Sequence, residues 1–246
     1  MNPAPLVLLH GYPFDHTMWE RVIVALGKGI KTIAPDLRGF GNTPTGIDEP
    51  SLDFMADDVT RLLDRHTLPR AVVAGFSLGG YVALAFAERH GPRLAGLALI
   101  NSTVLPDTEE ARAGRRAMIE KVRAEGPQAA AQAAIPKMFA AANSQNSDLS
   151  RFVREGAERA GVDGITWSLE AMRRRPDRTA VFEKLEAPRL IIHTPEDKFI
   201  PVERARDLAQ RNPKAAYVEI PNAGHASPLE APEAVANALS DLLKRC

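Results

Sequence analysis

An α/β fold built on a mainly parallel sheet is what this sequence predicts, and three observations carry it. Short apolar runs recur at Leu6–Leu9, Thr32–Ala34, Ala71–Ala74, Leu97–Ile100, Leu190–His193 and Ala216–Ile220. Each has the length of a buried strand rather than of a helix. Stretches of helical spacing separate them, and strands alternating with helices imply parallel strands covered by helices. The chain has 246 residues, 45% hydrophobic and 25% charged, which suffices for one domain of this kind with a large core and no staples.

The elements follow in order. The first strand runs into His10-Gly11-Tyr12-Pro13, a turn by composition. Trp19 to Leu26 reads as a helix, Thr32–Ala34 as the second strand, and Pro35 to Gly41 as a loop. Ser51 is placed to cap a helix from Leu52 to His66, with Met55, Val59, Leu62, Leu63 and His66 on one face. Ala71–Ala74 is the central strand, followed by Gly75-Phe76-Ser77-Leu78-Gly79-Gly80 and a helix from Tyr81 to His90, with Gly91 where a helix end favours glycine. From about Asp107 to Lys184 the chain is helical, alanine-rich and charged on both signs, with breaks at Gly126-Pro127, Asn143 to Ser147, Gly161 to Gly164 and Pro176. It predicts an all-helical insertion, so residues 1–106 and 185–246 form the core and 107–184 the insertion. A last helix runs from about Pro232 to Lys244.

The chemistry centres on Gly75-Phe76-Ser77-Leu78-Gly79. A G-x-S-x-G occurs by chance in about one chain of this size in ten at average composition, so its context decides. Strand, glycine turn and helix is the setting of a nucleophile elbow, in which a strained turn projects the serine hydroxyl from the end of the sheet. A dinucleotide fingerprint would want glycine where Ser77 stands, and a phosphate-binding P-loop would end in Gly-Lys-Ser/Thr.

A serine nucleophile needs a base, and the base needs an orienting carboxylate. His225, in the loop Pro221 to Gly224 after the last strand, is the base candidate; His193 lies inside a strand, and His16, His66 and His90 read as surface or helix-face residues. Asp197 is the acid candidate, with Glu196 beside it and Asp107 more remote. The order Ser, Asp, His is one of three known orders for this triad. Leu78 and Tyr12 are placed to give the two backbone N–H groups of an oxyanion hole, with His10 bracing the turn. The turn at 10–12, Ser77, Asp197 and His225 each follow a strand, so they should meet at one edge of the sheet.

Composition narrows the partners. Formal net charge is +0, from 31 basic and 31 acidic residues, which points to neither nucleic acid nor an anionic membrane. No stretch approaches a membrane span, and the first residues do not read as a signal peptide. Cys246 is the single cysteine; no internal disulfide can form, which fits a reducing, cytoplasmic setting. There is no H-E-x-x-H and no paired cysteine ligand, so no metal and no cofactor is expected. A homodimer is left open.

His10-Gly11-Tyr12-Pro13 with Trp19, Asp36-Leu37-Arg38-Gly39-Phe40-Gly41, Gly75-Phe76-Ser77-Leu78-Gly79-Gly80 and Gly224-His225 occur in the order seen in the α/β-hydrolase fold family, which the chain resembles over essentially its whole length. Within that family it looks most like small bacterial hydrolases of the 3-oxoadipate enol-lactonase and carboxylesterase group. The resemblance implies a triad of Ser77, Asp197 and His225, a helical lid at about 107–184, and hydrolysis of a small ester or lactone through an acyl-serine. C–C bond hydrolases, thioesterases and cofactor-free perhydrolases share that triad, and a non-catalytic ligand receptor on the same scaffold is a further alternative. Serine at the elbow separates the chain from the dehalogenases and epoxide hydrolases of this fold, which use aspartate there. Met138, Phe139 and Trp167 are apolar candidates for substrate contact, with lid packing the other reading of each; Arg173-Arg174-Arg175 is a solvated face or a partner for a substrate carboxylate. Two departures stand out. The family's antiparallel hairpin before the first motif strand has no counterpart, so about six parallel strands are expected, or a start set too far downstream. Asn42-Thr43 replaces the more usual serine or histidine after the glycine loop.

Overall fold

The computed structural model describes residues 4–246, so the expectation of a missing N-terminal hairpin falls largely outside the described residues. Among those residues six strands form one sheet: β1 (Leu6–Leu9), β2 (Thr32–Ile33), β3 (Ala71–Phe76), β4 (Leu94–Ile100), β5 (Arg189–His193) and β6 (Ala216–Glu219). They lie in the order β2-β1-β3-β4-β5-β6 and every neighbouring pair is parallel. Strands β1 and β3 are buried along their full length, as apolar runs covered on both faces must be.

The order reverses at β1. The connection β1 to β2 runs outward through α1 (Glu20–Leu26), and β2 to β3 runs back past β1 through α2 (Leu52–Arg65). Right-handed crossovers taken in opposite directions put α1 and α2 on opposite faces of the sheet. Helix α2 packs with α3 (Leu78–His90), and α1 with α10 (Pro232–Leu243). Ligands of such sheets bind beyond the carboxyl ends of the strands at the reversal, here between β1 and β3. The register sets that edge: Leu9 lies opposite Gly75, Phe76 opposite Ile100, and Ile100 opposite Ile192. The residues that follow these strands therefore emerge side by side.

Ser51 caps α2 as expected, its side chain accepting from the Asp53 N–H. Two local expectations are corrected. His66 is exposed at the end of α2, not on its buried face, because the helix stops one residue earlier. Gly91 does not use a left-handed conformation; at φ −46° it continues into a short 3-10 turn.

Residues 107–184 hold helices and no strand. Helix α4 (Glu109–Glu125), α5 (Gln128–Met138) and α6 (Ser147–Arg173) pack on one another, while α7 (Thr179–Lys184) packs on α3. Helix α6 is broken at Gly161, whose φ of +64° no helix accommodates. Helix α8 (Val202–Arg211) and the short α9 (Ser227–Glu230) complete the chain. No helix of the described residues is long and apolar enough to cross a membrane.

Candidate active site

Ser77 sits at the tip of the β3–α3 turn with φ +48° and ψ −111°. The strain is held from both sides. Its N–H donates to Ile100 O at 2.9 Å, and its carbonyl accepts from the Gly80 N–H and the Ser102 hydroxyl, each at 2.9 Å. A Cβ on Gly75 would collide with the Gly79 carbonyl and the Gly80 nitrogen, and one on Gly79 with the Leu9 carbonyl group and with His10 O at 2.7 Å. The glycines of the motif are thus required by backbone meeting backbone.

His225 stands in the loop after β6, 3% exposed and flanked by the Phe76 and Phe199 rings at 5.0 and 4.9 Å. Its Nε2 lies 3.0 Å from Ser77 Oγ, and its Nδ1 lies 2.8 Å from Asp197 Oδ2. Asp197 also accepts from the Phe199 N–H at 2.8 Å and the Ile200 N–H at 3.0 Å, both on Oδ1, and from Asn101 Nδ2 at 3.0 Å on Oδ2. Burial pushes its carboxyl pKa up, but the charge and hydrogen bond of His225, with the other donors, outweigh this and hold it near 2. The sequence-expected serine, histidine and aspartate therefore meet within hydrogen-bond reach.

The rival acids are engaged elsewhere. Glu196 accepts from the Ala141 N–H at 2.9 Å. Asp107 is clamped between Arg115 Nε at 2.5 Å and Arg175 Nη1 at 2.6 Å. The N–H groups of Leu78 and Tyr12 have no acceptor among the described residues, and both residues adjoin Ser77's end of the sheet. His10 braces the Tyr12 turn: Nδ1 bonds Gly11 O at 3.0 Å, and Nε2 accepts from the Leu37 N–H at 2.9 Å. Burial lowers its pKa from 6.5 to about 4, keeping it neutral with one donor and one acceptor nitrogen.

Ser77 and His225 open into a cavity of about 480 Å³ walled by the sheet edge and by α4, α5 and α6. Of the three apolar candidates, Met138 lines it. Phe139 and Trp167 do not. Phe139 follows Met138 directly and turns into the core under Gly224. Trp167 precedes Leu169, which does line the cavity, by two residues, about 200° around a helix; it is buried on the side away from the cavity and donates to Asp48 O at 3.2 Å. Leu169 and Met172 supply the apolar wall instead. Of Arg173 to Arg175, Arg175 alone reaches the cavity, stacked 4.2 Å over the Tyr81 ring; Arg173 and Arg174 pair with Glu170. Sequence reading missed Asn101 and Arg115. Asn101 directly follows β4, so the strand-end rule that found the other residues reaches it too; Arg115 carries no local signal.

A web of bonds ties the His225 loop to the helical layer. Glu230 accepts from Gly224 N–H at 2.7 Å, from Ala140 N–H at 2.8 Å and from Asn143 Nδ2 at 2.9 Å, and the Ala226 N–H donates to Met138 O at 3.1 Å. Away from the cavity, Asp15, His16 and Asp36 have ligand-type atoms within 4.8 Å of one another. Each is engaged by protein: Asp15 pairs with Arg159 at 2.6 Å, and His16 Nδ1 with Asp36 at 2.6 Å.

The buried neutral His10 has a consequence for stability. Between pH 6.5 and about 4 the unfolded chain takes a proton at this residue that the folded protein refuses, so stability falls as pH drops through that window and the slope ends below about 4. Its contribution is on the order of 3 kcal/mol. His193, also lowered by burial, acts in the same direction. Asp197, held near 2 against an ordinary 3.8, adds a loss from pH 3.8 down to 2. Urea midpoints measured at steps from pH 7 to 4 should fall steadily; a flat profile would contradict a neutral His10.

The fold and this serine–histidine–aspartate geometry define an α/β-hydrolase. The family model for the alpha/beta hydrolase fold matches residues 4–232, and the chain belongs to that family: it is a hydrolase enzyme. A thermophilic esterase from Thermogutta terrifontis, solved with malate bound, is 35% identical, with a TM-score of 0.92 over 98% of this chain and 89% of that one. The enol-lactonase from Burkholderia xenovorans LB400 is 28% identical, with a TM-score of 0.87 over 98% and 92%. The pimeloyl-[acyl-carrier protein] methyl ester esterase of Aromatoleum aromaticum is 28% identical across 99% of this chain and all of that protein.

Proposed function

We propose that the enzyme hydrolyses a small carboxylic ester or lactone through an acyl-serine intermediate. The observation that carries this reading is the relay from Ser77 Oγ through His225 to Asp197, at 3.0 and 2.8 Å, at the floor of a cavity. His225 takes the Ser77 proton as Oγ attacks the carbonyl carbon. The Leu78 and Tyr12 amides receive the oxyanion, and the N-terminus of α3 adds its positive dipole end. The tetrahedral species collapses as His225 gives its proton to the leaving alkoxide. Water, deprotonated by the same imidazole, then attacks the acyl-serine and regenerates Ser77. Asp197, ionised at every working pH, holds the imidazole and stabilises its protonated form. An esterase, an enol-lactonase and a methyl ester esterase among the similar proteins support ester and lactone substrates.

Helices α4 to α6 serve as a lid in this reading, excluding water and shaping the acyl pocket with Met138, Leu169 and Met172. The cavity is also electropositive within a chain of formal net charge +0: Arg115, Arg175, Arg204 and Lys137 line it against one carboxylate, Asp107. Such a lining favours substrates carrying negative charge beyond the reacting carbonyl.

Labelling by a serine-directed fluorophosphonate, followed by a panel of esters and lactones with neutral and anionic acyl parts, tests the reading. Labelling confined to Ser77 and faster turnover of the anionic members are expected. Arg115→Met should lower kcat/KM for the anionic members by roughly 10-fold or more, the weight of one charge-assisted hydrogen bond, and leave neutral ones within about threefold. Failure of the probe to label Ser77 would overturn the acyl-serine mechanism; equal losses on both substrate types would overturn the charge preference.

A further inference from the structure

We propose that Asn101 is a positioning residue of this hydrolytic machinery: through its side-chain amide it fixes Asp197, and through Asp197 it sets the orientation and proton affinity of His225. The proposal rests on the acyl-serine reading above.

Asn101 directly follows β4 at the edge where Ser77 and Asp197 emerge, and it is fully buried. Its φ is +44°, the left-handed region, which asparagine tolerates better than most residues. That backbone is pinned by its N–H donating to Ile192 O at 2.9 Å on the neighbouring strand. The conformation aims the amide across the strand ends. Nδ2 donates to Asp197 Oδ2 at 3.0 Å and to Thr194 Oγ1 at 2.8 Å, and Thr194 in turn donates to Gly224 O at 2.8 Å in the His225 loop.

The amide cannot be reversed. Ser227 Oγ lies 2.6 Å from Asn101 Oδ1 and donates to it. Turning the amide over would set its oxygen against the Asp197 carboxylate and against Thr194 Oγ1, whose proton is committed to Gly224 O. Asp197 and Thr194 thus fix the amide orientation, and Ser227, at the start of α9, holds its oxygen in place.

What the bond does follows from where it lands. A carboxylate offers about four lone-pair sites, and the four donors to Asp197 are the Phe199 and Ile200 amides on Oδ1 and Asn101 and His225 on Oδ2. Asn101 therefore shares with His225 the one oxygen that orients the imidazole. It holds that oxygen in place, and it takes up part of the negative charge that would otherwise act on the imidazole alone. Removing the amide leaves Oδ2 with His225 as its only donor, so the imidazolium becomes more favoured and the base harder to deprotonate.

Other charges face this pair and stay the same in the variants proposed below. His193 of β5 has Nδ1 3.9 Å from Asp197 Oδ2, with Glu219 of β6 beyond it. Glu230 of α9 lies under the His225 loop. Across the cavity stand the Arg115–Asp107–Arg175 group, Arg204 of α8 and Lys137 of α5.

The test uses the rate of fluorophosphonate labelling as a function of pH, which needs no knowledge of the natural substrate, together with thermal melting. Asn101→Leu replaces the amide by an apolar group of similar size; Ser227→Ala keeps Asn101 but removes the hydrogen bond that holds its Oδ1 in place. In Asn101→Leu the labelling rate at pH 7 should fall about 10-fold or more, and the acid limb of the pH profile should move to higher pH by about half a unit or more. Ser227→Ala should move the limb in the same direction by less, and it serves alone if Asn101→Leu does not fold. A folded Asn101→Leu or Ser227→Ala protein with the wild-type rate and limb would overturn the proposal. So would a lower melting temperature with the limb unmoved, because a purely structural asparagine would give that result. If the wild-type protein is not labelled at Ser77, the acyl-serine reading itself has failed; labelling of wild type with no response in the variants sinks the Asn101 role alone.

Discussion

Ser77→Ala should abolish turnover while leaving the fold intact. The exchange removes one oxygen at a position whose backbone is held by the Ile100 carbonyl, the Gly80 amide and the Ser102 hydroxyl, none of which bonds the Ser77 side chain. What disappears is the atom proposed to attack the substrate carbonyl. Members of such a triad act as a unit, so losses on the order of 10⁴- to 10⁶-fold in kcat are expected for Ser77→Ala and nearly as much for His225→Ala. Asp197→Asn should lose on the order of 10⁴-fold, because an amide facing His225 Nδ1 favours the wrong tautomer. Glu196→Gln and Asp107→Asn serve as controls for the acid. Glu196 is occupied by the Ala141 amide, so its exchange should be nearly silent. Asp107→Asn should act through the Arg115–Arg175 clamp, on affinity for charged substrates. Circular dichroism and melting curves check that the Ser77 variant is folded. More than a tenth of wild-type activity in it would mean that another group attacks.

Gly79→Val should prevent folding or cost at least about 3 kcal/mol, the upper range for forced overpacking. A Cβ there would meet the Leu9 carbonyl carbon at 2.6 Å and His10 O at 2.7 Å, both backbone atoms of the most buried part of the sheet. Neither can move without shifting β1 against β3, whose pairing runs from Leu6–Val72 to Leu9–Gly75. Gly29→Val is the contrasting exchange: nothing lies within 4 Å of its Cβ position, and it should change stability by a few tenths of a kcal/mol. Urea unfolding of both variants decides the matter, and a Gly79→Val protein as stable as Gly29→Val would refute the close packing of the elbow.

Much of the fold and site was legible because strand ends are visible in sequence. Leu6–Leu9, Ala71–Phe76 and the centre of β5, Leu190–Ile192, are buried on both faces and so read as apolar runs. The segments after such runs are placed at one edge of the sheet by topology alone, which brings the Tyr12 turn, Ser77 and the Asp197 loop together there. Asn101 obeys the same rule, yet a single asparagine belongs to no motif. The walls of the cavity were less legible. Which residues of α5 and α6 face Ser77 depends on how three helices pack on one another, and the left-handed break at Gly161 resets the phase of α6 before Trp167, Leu169 and Met172 are placed. Arg175 reads as part of a charged run, and its ion-pair partner, Asp107, lies far back in the chain between β4 and α4.

The bonds around Glu230 carry a consequence for recombination within this family. One carboxylate holds the Gly224 amide beside the base and, at the same time, the Ala140 amide and the Asn143 side chain. A chimaera that exchanges the helices wholesale, with junctions at the ends of residues 109–173, would therefore also replace half of the mounting of His225. Junctions that keep residues 140–143 with their own Glu230 would leave the base seated while the acyl pocket changes. The segment best left native in designing new specificities is thus a short connection that touches no substrate in the mechanism proposed here.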